Sequence, residues 1–228
     1  MDILKAVQGG LIVSCQALED EPLHGPMFMA AMARAAAQGG AVGIRTNGVQ
    51  DVEVCRKITG LPVIGIEKAT NEAGELCITP NFDAAERLSE AGADIIAVDC
   101  RMERPFGDPL PEMIQGIKGE LGRLVMADCK TVEDARQAVD YGVDVVASTF
   151  AFQEGKWGAE PDFSVIEGMV QLGLPVIAEG GFWYPEQVLS AFDLGVWAVV
   201  IGSAITRPRD ITARFVNAIS NRKGEDSH

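Results

Sequence analysis

Two textures alternate along this chain. Short, nearly continuous apolar runs rich in Val and Ile occupy residues 11–16 (LIVSCQ), 41–45 (AVGIR), 62–68 (PVIGIEK) and 94–100 (DIIAVDC). Four more lie at 124–129 (LVMADC), 143–150 (VDVVASTF), 175–179 (PVIAE) and 198–205 (AVVIGSAI). Runs of this length and continuity predict strands buried on both faces. Between them, amphipathic stretches at 27–38, 51–58, 83–92, 112–121, 132–142, 163–173, 185–195 and 211–219 predict helices. Thr131 and Asp162 can accept from N-terminal amides, Pro185 suits a first helical turn, and Gly92, Gly142, Gly173 and Gly195 can end helices in the left-handed conformation.

Two internal echoes point to one repeated unit. Gly60-Leu61-Pro62-Val63-Ile64 returns as Gly173-Leu174-Pro175-Val176-Ile177, and Ala91-Gly92-Ala93-Asp94 with its apolar run returns as Tyr141-Gly142-Val143-Asp144. Eight strand-helix units with no long linker predict a (β/α)₈ TIM barrel, with residues 1–228 as a single domain and 221–228 as a frayed polar tail. An open dinucleotide-binding sheet would want GxGxxG after its first strand, and that motif is absent.

A barrel of this kind places its site at the C-terminal strand ends. The polar residues that close the apolar runs are Gln16, Arg45, Lys68, Asp99, Asp128, Ser148 with Thr149, and Glu179. Side chains alternate with period two, so Glu179 shares a face with Ile177, and Lys68 with Ile64 and Ile66, whereas Glu67 points outward. The third and seventh strands of an eight-stranded ring are diametrically opposed. Lys68 and Glu179 would therefore face each other across a bound substrate, the layout needed to remove a proton from one face of a carbon and return one to the other. A buried Lys68–Glu179 ion pair that merely closes the barrel is the structural alternative. Lys68 needs a lowered pKa to act as a base, from desolvation or a cation such as Arg45. Glu179-Gly180-Gly181 and Gly202-Ser203 follow the last two strands, where barrels often bind phosphate, and Arg207 can add a charge-assisted contact.

Charge and cysteine usage narrow the partners. With 33 acidic against 19 basic residues the net charge is −14, and no basic patch interrupts it, which argues against nucleic-acid or anionic-membrane binding. The 47% hydrophobic content suits a packed core. Cys15, Cys55, Cys77, Cys100 and Cys129 form no CxxC pair, and the only histidines are His24 and His228, so no zinc site is expected. Reduced thiols, and no basic segment before an apolar stretch at the start, predict a cytoplasmic protein.

Taken in order, several segments resemble the N-acetylmannosamine-6-phosphate 2-epimerases of bacterial sialic acid catabolism, over about Gly10 to Ile219. They are Gly10-Leu11-Ile12-Val13-Ser14-Cys15-Gln16-Ala17, Ala41-Val42-Gly43-Ile44-Arg45, and Pro62-Val63-Ile64-Gly65-Ile66 leading to Lys68. Met126-Ala127-Asp128, Val176-Ile177-Ala178-Glu179-Gly180 and Gly202-Ser203-Ala204-Ile205-Thr206-Arg207-Pro208 complete the set. The resemblance implies inversion at C2 of a phosphorylated N-acetyl hexosamine without metal or nicotinamide. It implies Lys68 and Glu179 as the proton-transfer pair, and Gln16, Arg45 and Asp128 as sugar contacts. Arg207, Gly180, Gly181, Gly202 and Ser203 would take the phosphate, and the enzyme would be a homodimer. Three stretches depart from the family pattern: Glu67 beside Lys68, the Gly181-Phe182-Trp183 turn, and the 150–160 loop with Trp157. Two other readings stay open at this level, a Schiff-base aldolase acting through Lys68 and a non-catalytic sugar-phosphate binder.

Overall fold

A computed structural model describes residues 2–155 and 158–225 of the chain. In chain order the strands are β1 (Leu11–Cys15), β2 (Gly43–Asn47), β3 (Val63–Ile66), β4 (Lys68–Thr70), β5 (Leu76–Ile78), β6 (Ile95–Asp99), β7 (Leu124–Asp128), β8 (Val145–Ala147), β9 (Phe152–Gly155), β10 (Gly158–Pro161), β11 (Val176–Glu179) and β12 (Ala198–Ile201). The helices are α1 (Ile3–Val7), α2 (Pro26–Gln38), α3 (Val49–Thr59), α4 (Phe82–Glu90), α5 (Leu110–Gly119), α6 (Val132–Asp140), α7 (Phe163–Val170), α8 (Pro185–Asp193), α9 (Ser203–Thr206) and α10 (Pro208–Glu225). Eight strands close a parallel ring in the order β1-β2-β3-β6-β7-β8-β11-β12, sealed by pairing of Leu11 with Val199 and Ile12 with Val200. This is the expected (β/α)₈ barrel.

Alternation along the strands sorts the apolar side chains into two shells. Ile12, Ile64, Ile66, Ile95, Ala97, Met126, Val145, Ala147, Ile177, Ala198 and Val200 fill the interior of the ring. Their neighbours, among them Val63, Ile96, Val98, Val125, Ala127, Val146, Val176, Ala178 and Val199, pack outward against the helices. Helix α1, which the apolar pattern does not announce, stops the lower end of the ring. Its Val7 joins the interior cluster, and Trp197 Nε1 donates to Leu4 O at 2.7 Å.

Local signals act where the sequence puts them. Thr131 Oγ1 accepts from the Asp134 amide in a capping box, Asp162 accepts from Ser164 and Val165, and Pro185 opens α8. Gly92, Gly142, Gly173 and Gly195 have φ between 84° and 97°.

Several boundaries differ from the pattern. The run 62–68 leaves the barrel wall at Ile66; Lys68 already belongs to a two-stranded hairpin of β4 with β5. Thr79 makes that departure. Its amide donates to Glu67 O at 2.7 Å, and its hydroxyl accepts from the Glu67 amide at 3.2 Å, at the cost of a φ of 48° that β-branched residues seldom adopt. The run 143–150 is a strand only over Val145–Ala147, because Ala151 N–H turns back to Ser148 O at 2.8 Å. The run 198–205 ends at Ile201 and passes into α9. The loop expected at 150–160 is a second hairpin, β9 with β10; Trp157 lies outside the described residues. The tail expected to fray from Asn221 is helical as far as Glu225, and 226–228 lie outside the described residues.

Candidate active site

Period-two alternation carries the interior face past the apolar layers and into polar side chains at the upper rim. Beyond Ile12 come Ser14 and Gln16, beyond Gly43 come Arg45 and Asn47, and beyond Ile177 comes Glu179. A cavity of about 290 Å³ opens there, lined by Gln16, Asn47, Lys68, Thr149, Glu179 and Arg207 together with both glycine turns, Gly180-Gly181 and Gly202-Ser203. This volume lies at the lower end of small-molecule sites.

Lys68, following β3, and Glu179, ending β11, stand on opposite sides of the ring as expected. They form no ion pair with each other among the described residues. Glu179 Oε2 instead meets Arg45 Nη1 at 2.9 Å. The Lys68 main chain is fixed by Asn47, whose Oδ1 accepts its amide proton at 2.8 Å. Burial, helped by the Arg45 cation and opposed by Glu179, brings the Lys68 ammonium down from 10.5 to about 8. Glu67 does not counter this, because it turns outward and pairs with Arg87. Burial likewise pushes the Glu179 carboxyl up from 4.5 to about 7, against the pull of Arg45.

Arg45 and Asp128 do not reach the cavity wall. Both are buried beneath it, joined by a two-pronged pair at 2.9 and 2.7 Å. Burial opposes the guanidinium charge, but Asp128 and Glu179 outweigh that and hold its pKa above the ordinary value. In this arrangement Arg45 and Asp128 hold Glu179 from below, and their reading as sugar contacts stays an expectation. Their polar atoms already serve each other and Glu179, and only Arg45 Nε lacks a partner. Asp99 also faces inward, but Arg101 takes both its oxygens at 2.9 and 2.6 Å and lies over the Phe150 ring at 4.2 Å.

Similarity to known proteins converges on one group. The model of the NanE family, described as "Putative N-acetylmannosamine-6-phosphate epimerase", matches residues 29–221. The chain belongs to this family. A NanE relative from Clostridioides difficile, named in the same terms as a 2-epimerase, is 48% identical over 95% of this chain and 99% of that protein. One from Caldanaerobacter subterraneus is 43% identical over 98% and 96% of the two chains. Among solved structures, the N-acetylmannosamine-6-phosphate 2-epimerase of Clostridium perfringens superposes with a TM-score of 0.89 at 40% identity, covering 96% of each chain. A thiamine phosphate pyrophosphorylase from Pyrococcus furiosus shares the fold alone, with a TM-score of 0.63 at 15% identity over 93% of this chain and 94% of its own.

Within this NanE-family site, Arg207 lines the cavity but is engaged by two carboxylates, Glu21 and Asp210, the latter at 3.1 Å. The Gly181-Phe182-Trp183 turn brings Trp183 to the wall, where the Arg214 guanidinium stacks 4.3 Å from its ring centre. Gln16 donates from Nε2 to Ser14 Oγ at 2.7 Å, and its Oε1 is buried without a partner. The apolar run that ends at Arg45 stops two residues short of the strand's end at Asn47, which lies on the same face as Gly43 and Arg45. Thr149, a strand end by its sequence pattern, joins the site through Asp128 at 2.6 Å and Glu179 at 3.3 Å. Among the described residues no cluster of three or more His, Cys, Asp or Glu side chains is arranged to hold a metal ion.

Proposed function

We propose that this chain is an isomerase that inverts C2 of N-acetylmannosamine 6-phosphate to give N-acetylglucosamine 6-phosphate. One observation carries the reading within this family: Lys68 and Glu179 oppose each other across the cavity without pairing to one another, with pKa values drawn from 10.5 and 4.5 to about 8 and about 7. Groups so tuned hold or release a proton readily near neutral pH, as two-sided proton transfer requires.

The C2 proton is acidic only beside a C1 carbonyl, so the open-chain sugar reacts. One of the pair removes the proton from one face, and the other delivers a proton to the opposite face; in the reverse direction the roles exchange. General acid–base help of this kind supplies roughly 10²–10⁴-fold in rate. Charge developing on the C1 oxygen needs a fixed donor, and Asn47, which lines the cavity with its Oδ1 engaged by the Lys68 amide, keeps Nδ2 for that role. The unpartnered Gln16 Oε1 suits a substrate hydroxyl. Arg45 and Asp128 serve by holding Glu179. The phosphate is taken at Gly180-Gly181 and Gly202-Ser203. The amides of Gly181 and Phe182 donate to no acceptor among the described residues, and Arg207 contributes once it turns from Glu21 or Asp210.

Incubation with N-acetylmannosamine 6-phosphate in deuterated water should give inverted product carrying deuterium at C2. Lys68→Met should abolish both inversion and exchange; turnover without label, or full exchange in that variant, would overturn the assignment. We also place the protein in the cytoplasm, where phosphorylated sugars are handled and its five free cysteines stay reduced. No helix among the described residues is long and apolar enough to cross a membrane. A homodimer is supported by the exposed Phe215, Val216 and Ile219 along α10, which a second copy would cover. Sedimentation velocity measures it, a monomer at micromolar concentration being the contrary result.

A further inference from the structure

If Glu179 exchanges acid and base roles, as the epimerase reading requires, its neutral and ionised forms both need partners. The charged and titratable groups around it are Arg45 from β2, Asp128 from β7 and Lys68 from β4. Among the described residues, two side chains lie within hydrogen-bond reach of its carboxyl oxygens: Arg45 Nη1 at 2.9 Å and Thr149 Oγ1 at 3.3 Å. A guanidinium can only donate, so it serves the carboxylate and offers nothing to a carboxylic acid proton. A hydroxyl can do either: donating to the carboxylate it draws the Glu179 pKa down, and accepting from the neutral acid it holds that pKa up.

Counting protons shows what that freedom does. Thr149 has one O–H and faces two carboxyl groups, Asp128 Oδ1 at 2.6 Å and Glu179 Oε2 at 3.3 Å. When Glu179 is ionised, that single proton satisfies one of them, so the trio makes one hydrogen bond. When Glu179 is neutral, Oε2–H can donate to Thr149 Oγ1 while Thr149 donates to Asp128, and the trio makes two. The shorter distance to Asp128 is the one this second arrangement needs.

We propose that Thr149 is a positioning residue for the proton of Glu179, accepting from the neutral acid while donating to Asp128, and rotating its O–H when Glu179 ionises. No proton leaves Thr149; only the direction of the hydroxyl changes. Ser148 keeps the geometry in place, donating from Oγ to Glu179 O at 2.9 Å and accepting from the Glu179 amide at 3.0 Å.

The test is a carbon-13 NMR titration of the Glu179 carboxyl in the substrate-free protein, comparing wild type with Thr149→Val, Thr149→Ala and Thr149→Ser. Losing a partner that favours the neutral form should lower the Glu179 midpoint by about one pH unit in the Val and Ala variants. The Ser variant, which keeps the hydroxyl, should stay at the wild-type midpoint. The Ala variant removes the hydroxyl without crowding, should Val perturb folding. An unchanged or raised midpoint in the folded Val or Ala variant would overturn the proposal, the first marking a purely structural threonine and the second a plain donor to the carboxylate. Because no substrate is present, a wild type that failed to invert N-acetylmannosamine 6-phosphate would sink the epimerase reading without touching this result.

Discussion

Lys68 and Glu179 are each held where the charged form is disfavoured, and that has a cost in stability with a definite sign. Folding raises the Glu179 carboxyl from 4.5 to about 7, so the native state binds its proton more tightly than the unfolded chain. The stability due to that proton is fully present below about pH 4.5 and is lost as pH rises through about 7. Glutamine imitates the neutral acid and cannot ionise. The stability of Glu179→Gln relative to wild type should therefore increase from about pH 4.5 to about pH 7 and level off above. Urea denaturation across that range checks it, and a gap that narrows with rising pH would show that Arg45 holds Glu179 ionised. Lys68 behaves in mirror image: its lowered pKa costs stability below about pH 8 and releases that cost toward pH 10.5. Arg45 is the opposite case, a buried cation kept charged by two carboxylates.

Strands and turns set how much of this was legible beforehand. Gln16, Lys68 and Glu179 were readable because period-two alternation needs only the sequence and one buried apolar run. The same rule would have reached Asn47 had the second strand been drawn to its true end. What alternation could not supply was tertiary competition. Arg45 reads as a free cation at a strand end, and nothing local says that Asp128, 83 residues away, will take both its prongs. The two hairpins were hidden for a related reason. The β9–β10 pair contains no Val or Ile at all, and the β4–β5 pair has only three residues a strand, its buried Cys77 and Ile78 too short a run to read as a strand. One of them explains a glycine. Gly181 has φ +75°, and an added Cβ would sit 2.4 Å from the Glu160 carbonyl carbon in β10. Gly181→Ala should cost about 1–3 kcal/mol of stability through backbone strain. It should also raise KM for the phosphorylated sugar by severalfold with little change in kcat, as the proposed phosphate role of the displaced turn requires. Equilibrium denaturation and steady-state kinetics give both numbers; a fall in kcat alone would move Gly181 from the phosphate to the chemistry.

At the scale of the whole molecule, a chain of net charge −14 is asked to collect a doubly anionic sugar phosphate. Its local cations are less available than their count suggests. Arg45 is spent on Asp128 and Glu179, Arg207 faces Glu21 and Asp210, and Arg209 is drawn into the same cluster by Asp20 at 2.8 Å. Lys68 is left as the lining cation with no ion pair among the described residues, and its lowered pKa leaves it neutral for part of the time near pH 8. The long-range field therefore opposes the substrate, and the proposed capture by backbone amides acts only at contact. Added salt shortens the screening length from about 30 Å at 0.01 M to about 10 Å at 0.1 M, which weakens the distant repulsion and spares the contacts. Over that range kcat/KM should rise by about twofold with a non-binding salt such as sodium chloride, at fixed pH. Phosphate and sulfate should lower it instead by competing for the glycine turns. A steep fall with sodium chloride would mean that the Arg207–Arg209 cluster steers the substrate after all, with its carboxylate partners displaced before the sugar arrives.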